Sequence, residues 1–556
     1  MKWKKLEHNG ILFPPDFETK KIKIKIKGES VDLDINQEEM VYQWAKKKDT
    51  PYALDKVFQK NFLADFAKTF GKKYKKLELD DVDFKNAFNL VDKEKDAKEL
   101  LTKEEKKALA AKRKELREEM KVKFGTGKMD GNEVEIANYM AEPPGIFIGR
   151  GEHPLRGKWK PKVTSKDVTL NLGKEAKVPA GNWGKIVHDQ ESMWMASWTD
   201  FLTQKRKYVW LADTAGIKQD RDKAKYDKAK MLAKEIETIK NKIVKDMQNK
   251  DPKVRRISTV CWLIYRTAMR VGDEKDPDEA DTVGATTLRK EHVTLTSDAI
   301  KFDFLGKDSV RWQETVPAVG NDKQFHENLK ELTAKIKATD EIFGNLTSRD
   351  VNEYYKTVVK GLTAKVFRTF SASTVVSKYL NENGDVKKGS QMEKLYHAKL
   401  ANLEAAIMCN HKRTIPKTFE QSLQKKRDTL KTAEKATPWK KNEEVLKKAE
   451  STKTKTDAQE KKRKERITKI KGMIKKSKAK QKERVEKLRL QLDLTEKTRD
   501  YNLGTSLRNY IDPRIFKSWT DEVTADWEKL YTAALQKKFL WVKSENESWQ
   551  NVSKHY

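Results

Sequence analysis

The chain has 556 residues, with 119 Lys and Arg against 85 Asp and Glu, and the resulting formal charge of +34 points to a polyanionic partner while saying little about fold. The start, Met1-Lys2-Trp3-Lys4-Lys5, lacks the apolar run of a signal peptide, no apolar stretch approaches the roughly 20 residues that span a bilayer, and Cys261 and Cys409 alone supply neither a disulfide framework nor a Cys-based zinc cluster. Charged residues make up 37%, yet 14 Trp, 20 Phe and 15 Tyr argue against wholesale disorder, so the expectation is folded bodies plus a solvated charged segment, with nucleic acid rather than membrane as partner.

Along residues 1–200, strand-like and helix-like signals mix. Lys21-Ile22-Lys23-Ile24-Lys25-Ile26-Lys27 alternates with period two, as a half-buried strand does. A charged helical stretch follows at 103–121, ended by Gly125 and Gly127. The run 142–151 (EPPGIFIGRG) reads as a rigid loop whose glycines let backbone approach a ligand, with Arg150 at its tip; a plain solvent loop fits it equally well.

Residues 200–415 read mainly as helices, broken by a hairpin whose alternating residues, 300–312, flank a turn at Gly306-Lys307-Asp308. Gly306-Lys307-Asp308-Ser309 resembles the end of a phosphate-binding loop. No Gly stands five residues earlier, however, and a hairpin is not a strand-to-helix turn, so no ATP site is expected. From 420 to 500 Lys, Arg, Glu and Ala dominate. Ile467, Ile470 and Ile474, then Val485, Leu488 and Leu492, repeat at i, i+3, i+7 and mark one narrow stripe of a long helix. With a break at Thr437-Pro438-Trp439 and a turn between Ser451 and Asp457, the pattern predicts an antiparallel helical hairpin, against the alternative of an unstructured basic linker. Residues 501–556 regain globular composition with Trp519, Trp527, Tyr531, Phe539 and Trp541.

If the partner is a phosphodiester, metal-assisted cleavage calls for clustered carboxylates or histidines, and the eight histidines are scattered. Metal-free covalent cleavage needs a nucleophile, cations on the non-bridging oxygens and an acid for the leaving oxygen. Four segments offer such parts: Arg270 at the end of an apolar helix, Lys307 in the hairpin turn, Arg368 in an apolar setting, and His411 just past another apolar helix. Each alone has an ordinary structural explanation. Only the set argues for chemistry.

As a set the chain resembles the eukaryotic-type IB DNA topoisomerases, nearly from end to end. The resemblance rests on Lys2-Trp3-Lys4-Lys5-Leu6-Glu7-His8-Asn9-Gly10, the loop 142–151, Asp281-Thr282-Val283-Gly284, Phe302-Asp303-Phe304-Leu305-Gly306-Lys307-Asp308-Ser309, Gly361-Leu362-Thr363-Ala364-Lys365-Val366-Phe367-Arg368, Cys409-Asn410-His411, Pro416-Lys417-Thr418-Phe419, Leu503-Gly504-Thr505-Ser506 and Asn509-Tyr510-Ile511-Asp512-Pro513-Arg514. It implies a five-part site: Tyr510 attacks phosphorus to leave a 3′-phosphotyrosine, Arg270 and Arg368 grip the non-bridging oxygens, His411 donates to one of them, and Lys307 protonates the 5′ oxygen. It further implies DNA contacts by Arg150, Asp308 and Asn509 near the cleaved step, Lys160 on the backbone and His153 facing DNA, in the neighbourhood where camptothecin-like inhibitors bind family members. Two departures stand out: Ile148 where the family usually has Arg, and Leu507 after Ser506 where it usually has Lys.

The implied architecture is an α+β multidomain clamp. A mixed α/β cap spans 1–200, a mostly helical catalytic lobe with the Lys307 hairpin spans 201–415, an antiparallel helical-hairpin linker spans 416–500, and a small helical C-terminal domain with Tyr510 spans 501–556. The expected activity is relaxation of supercoiled double-stranded DNA by a monomer, with no metal, ATP or other cofactor. Lys461-Lys462-Arg463-Lys464 suits nuclear import and a solvated helix face alike. The family's long basic N-terminal region does not precede Met1, so a nuclear chain, trimmed, stands beside an organellar or viral one. The rival readings are a tyrosine recombinase, which commonly has His where Lys365 precedes Arg368, and a non-catalytic DNA-binding protein.

Overall fold

Ile22, Ile24 and Ile26 are buried and the lysines between them exposed, but only Ile24–Ile26 pairs as a strand. It pairs with Glu29–Val31 through Lys27 and Gly28, at φ +52° and +86°. Positive φ at both central residues is the type I′ geometry that matches strand twist. Val82–Asp83 flanks the other edge, and the sheet packs on an aromatic core of Trp44, Phe58, Phe62, Phe66 and Phe84.

The computed structural model describes residues 3–149, 151–272, 283–306, 310–416 and 418–556. Residues up to Asp222 form one compact unit, and most from Lys223 onward a second, the boundary falling inside the helix Gly216–Asp246. In the first unit a seven-stranded sheet runs in the order Leu6–His8, Thr126–Met129, Asn132–Ala137, Arg206–Leu211, Trp194–Thr199, Thr169–Asn171 and Lys185–Val187. All its pairs are antiparallel except the last. The hairpin turn between Trp194–Thr199 and Arg206–Leu211 straddles residue 200, so residues 206–211 belong with this sheet rather than with the helical stretch read from the sequence. The charged helix runs Lys103–Phe124, from a Thr102 capping box to Gly125, and buries none of its residues. That is why its sequence shows no apolar stripe.

The second unit is mostly helical. Its largest core joins Trp262, Leu263 and Ile264 to Phe302, Trp312, Phe325, Tyr355 and Phe367. The strands Ala299–Gly306 and Val310–Pro317 are joined by a third, Val293–Leu295. Residues 307–309 between the first two, with the predicted site residues Lys307 and Asp308, lie outside the described residues.

The charged segment forms helices Phe419–Lys435 and Lys440–Ser451, both packed on the 41-residue helix Asp457–Lys497. The break at Pro438 and the turn after Ser451 fall at the helix ends. Ion pairs Arg427–Glu496, Glu434–Arg489, Glu443–Lys478 and Glu450–Lys471 descend one arm as they ascend the other, which fixes the antiparallel register. Ile470 and Ile474 are buried against Ala449, Leu446 and Trp439. The second stripe differs from the spacing argument. Val485, Leu488 and Leu492 are only half-buried, and Leu494 is buried instead, against Tyr396, Leu400 and Leu403 of the helix Gln391–Met408. There the long helix faces a different partner, so its contact face rotates.

Residues 501–556 share one core with that helix and with Ala364–Asn383: Ile511, Ile515, Phe516 and Trp519 pack on Ala372, Val376, Leu380, Ala401 and Ala405. The segment is a layer of the second unit.

Candidate active site

Asp251 accepts from the Lys253 amide and Pro252 takes the first turn, so the helix Pro252–Thr267 starts cleanly and buries its apolar run 260–264. It ends at Ala268 with φ +51°. Beyond it the Arg270 carbonyl accepts from Ala285 N (2.8 Å) and that of Val271 from Thr286 N (2.7 Å). Gly272 and Gly284 touch here: a Cβ on Gly284 would lie 2.4 Å from the Gly272 Cα, so only glycine fits. This pairing holds the Arg270 backbone.

The helix Gln391–Met408 ends in a Schellman motif. The Asn410 amide donates to Ile407 O (2.9 Å) and the His411 amide to Ala406 O (2.8 Å), with Asn410 left-handed at φ +50°. Asn tolerates that conformation, and its carboxamide donates to Arg311 O (3.1 Å). The motif turns His411 inward, where both ring nitrogens are buried with no partner among the described residues.

Arg368 sits in the first turns of the helix Ala364–Asn383 and is only 6% exposed. Its Nη2 donates to Cys409 O (2.5 Å), while its Nε has no partner among the described residues. Tyr510 closes the short helix Leu503–Asn509, its amide donating to Ser506 O (2.9 Å). Ser506 is itself buried, donating to Asn402 Oδ1 (2.8 Å). Leu507 packs half-buried on the surrounding core and Arg508 is exposed.

These elements meet on the Tyr510 ring. The Arg368 guanidinium carbon lies 4.9 Å from its centroid, and the His411 ring stacks on it at 5.5 Å and 26°. Among the described residues no carboxylate pairs with Arg270 or Arg368. Burial first, then the Arg368 charge, pushes the Arg270 guanidinium below its ordinary range, with Tyr510 opposing. Burial, then Arg368 and Arg270, drives the His411 imidazole down to about 3. At neutral pH it is therefore uncharged, with one N–H to donate. Two cations gathered out of water without a counter-charge are unfavourable by themselves, and an anion with several acceptor oxygens is what offsets them.

Four of the predicted site residues, Arg270, Arg368, His411 and Tyr510, thus come together, with Asn509 adjacent in sequence. The Asn509 side chain donates to Thr505 O (3.1 Å), and its carbonyl accepts from Lys225 Nζ (3.3 Å). Arg150, Lys307 and Asp308 lie outside the described residues. His153 and Lys160 belong to the first unit. His153 is buried, meeting the Phe147 ring edge-on at 5.0 Å and accepting from Leu155 N (3.1 Å). A Cβ on Gly149 would come within 2.5 Å of the His153 Cβ, so the glycine makes room for the ring.

Lys160 pairs with Asp200 (2.6 Å) and with Glu142. Burial opposes its charge, but these partners prevail and hold its pKa above the ordinary value. Asp200 in turn is pulled down to about 2 from 3.8: burial raises it, while Lys160 and Thr203 outweigh burial. That carboxylate's contribution is full above its unfolded pKa and disappears as pH falls through about 2. Asp200→Asn is expected to lose about 1 to 2 kcal/mol at pH 7 after solvent screening, with the gap to the parent closing by pH 2 in urea titrations.

Sequence reasoning missed the residues that hold the site. Asp512 gave a legible helix cap before Pro513, and Asn410 a legible left-handed position. Ser373, which donates to Tyr510 O (3.4 Å) and accepts from Asp512 N (3.0 Å), carried no signal.

Comparison with known proteins gives three matches in chain order. Residues 1–211 match the DNA binding fragment of eukaryotic DNA topoisomerase I, 214–445 its catalytic core, and 482–551 the C-terminal topoisomerase domain. DNA topoisomerase 1 beta of Arabidopsis thaliana is 36% identical over 547 residues, covering 97% of this chain and 58% of the plant protein. DNA topoisomerase 1 of Homo sapiens is 33% identical over 556 residues, 97% of this chain and 71% of the human one. That of Candidozyma auris is 33% identical over 631 residues, 99% of this chain and 83% of its own. The chain thus spans 58% of the length of the plant relative and more of the other two. With these matches running through all the elements that meet at Tyr510, the chain belongs to the eukaryotic DNA topoisomerase I family.

Proposed function

We propose that the chain relaxes supercoiled duplex DNA of either sign as a type IB topoisomerase, without ATP or metal. The observation that carries this is the Tyr510 phenol packed against both a buried guanidinium and a neutral imidazole, with a second guanidinium in electrostatic reach. Tyr510 Oη gives up its proton to solvent and forms a bond to phosphorus as the bond from phosphorus to the 5′ oxygen breaks. Arg270, Arg368 and the His411 N–H take up charge building on the non-bridging oxygens. The departing 5′ oxygen receives a proton, a role assigned to Lys307 by the family resemblance. One phosphodiester replaces another, so resealing is the same step reversed and needs no nucleotide.

In the same proposal, residues 1–200 act as a cap and 201–415 as the catalytic lobe of a clamp around DNA. The hairpin 416–500 is a linker and 501–556 brings the nucleophile. Arg150, His153, Lys160, Asp308 and Asn509 lie toward DNA, with camptothecin-like compounds entering at the cleaved step. Lys160 reaches a phosphate only by giving up Asp200 or Glu142. The enzyme acts as a monomer, with the nucleus as its expected compartment.

A supercoiled plasmid with no special sequence, in EDTA, tests the reading. Relaxation is expected, and DNA affinity should fall steeply as salt rises, since phosphate contacts dominate. Strand exchange confined to one specific site, without relaxation, would instead assign the chain recombinase chemistry. DNA binding with neither reaction would make it a non-catalytic binder.

A further inference from the structure

Behind the Tyr510 turn lies a buried polar network that takes no part in the chemistry above. Asp512, two residues after the nucleophile, is fully buried. Its carboxylate accepts from the Arg514 amide (3.0 Å), from Arg514 Nε (3.1 Å) and Nη2 (2.8 Å), and from the Tyr556 hydroxyl (2.8 Å). Arg514 Nη1 reaches on to Asp227 (2.7 Å). The Asp512 amide donates to Ser373 Oγ (3.0 Å), which donates to Tyr510 O (3.4 Å). Ser373 lies on the same helix as Arg368. One helix therefore presents both the guanidinium that faces the phenol ring and the hydroxyl that holds the phenol's backbone.

A charge buried this deeply keeps its place only while its oxygens stay satisfied. Arg514 supplies most donors, but it is tied to Asp512 only two residues along and moves with the same turn. Tyr556 is the donor from far along the chain, and its ring is fixed against Phe370 at 6.3 Å. Ser373 and Tyr556 thus hold the Tyr510–Asp512 turn from two sides, one on the backbone and one on the carboxylate.

We propose that Tyr556 is a positioning residue for the nucleophile, its hydroxyl locking Asp512 and through it the placement of Tyr510 against Arg368 and His411. This rests on the reading of Tyr510 as nucleophile. A small displacement of a reacting group slows the step without weakening binding of the substrate. Cleavage and religation pass through one transition state, so a phenol that reaches it less readily slows both.

The test uses the full chain with Tyr556→Phe, which keeps the ring and removes the hydroxyl, in single-turnover cleavage of a nicked suicide duplex and in religation of the trapped complex. Both rates are expected to fall about tenfold, with DNA affinity and burst amplitude unchanged. Asp512→Asn should show the same pattern. A purely structural role lowers the amplitude, as the active fraction falls, and leaves the rate of the remainder intact. Wild-type rates in Tyr556→Phe, or a loss confined to amplitude, would overturn the proposal. Tyr510→Phe run alongside separates the two readings: an adduct formed by that variant would sink the nucleophile assignment itself.

Discussion

Tyr510→Phe is expected to abolish the covalent protein–DNA adduct and plasmid relaxation together, while leaving DNA affinity within about twofold of the parent. The substitution removes one oxygen atom and keeps the ring that packs on His411 and faces Arg368. No other nucleophile stands ready in the described cluster: Cys409 is buried, and its carbonyl is already the acceptor for Arg368. Losing a covalent nucleophile removes the reaction path itself, so the rate should fall by at least about 10⁴-fold. The measurement is denaturing electrophoresis of a labelled suicide duplex with each protein, beside a gel-shift titration at fixed salt. An adduct at the parent's rate would refute the mechanism. Loss of DNA affinity in step with activity would show instead that the phenol hydroxyl serves binding.

The sequence offered Arg270, Arg368 and His411 through their helix settings, each weak alone, and Tyr510 only through the family resemblance; the fold brings these four side chains together. Each sits at or near a helix terminus or in a helix's first turns, so its backbone setting is written in neighbouring residues. Asn410 marks the left-handed end that turns His411 inward. Asp512 before Pro513 marks the start of the helix after Tyr510. Period-two isoleucines marked a strand, and the narrow stripe 467–474 marked the packed part of the charged hairpin.

What stayed hidden depends on distant partners. Ser373 and Tyr556 converge on the Tyr510 turn from far apart in the chain, and a serine on a helix or a tyrosine near aromatics has no local mark of that duty. The stripe 485–492 lies on the long helix as expected but stays half-buried because the partner changes along it, and periodicity reports a full contact face only while one partner is kept. The hairpin across residue 200 was masked by its composition. Trp194, Tyr208 and Trp210 face solvent there in part, so the usual alternation of apolar and polar residues is blurred.

Arg368→Met separates what this cluster does for catalysis from what it does to stability. Methionine fills similar space without charge. Cleavage should fall by about 10² to 10³-fold, the range for deleting one preorganised donor to a developing oxyanion. Stability should not fall with it. The substitution leaves Cys409 O without its donor, a loss of about 1 kcal/mol, but it also removes a buried cation that has no carboxylate partner among the described residues and that repels Arg270. His411 reports the same change. Burial is the main reason its pKa lies near 3, and Arg368 is the next, so the pKa should move up toward 6.5 in the variant, as followed by the imidazole C–H resonances. The sign for folding follows from linkage. A histidine whose folded pKa is depressed loses stability as pH falls below 6.5, because the unfolded chain takes the proton first, and the loss keeps growing until the pH reaches the folded value. Raising that folded value shortens the interval over which stability drains away. Arg368→Met should therefore resist acid better than the parent between pH 6 and 4 in urea titrations, although it cuts DNA far more slowly. Cleavage within about fivefold of the parent, or a parallel collapse of stability, would mean that Arg368 is a structural cation rather than a group held ready for phosphate.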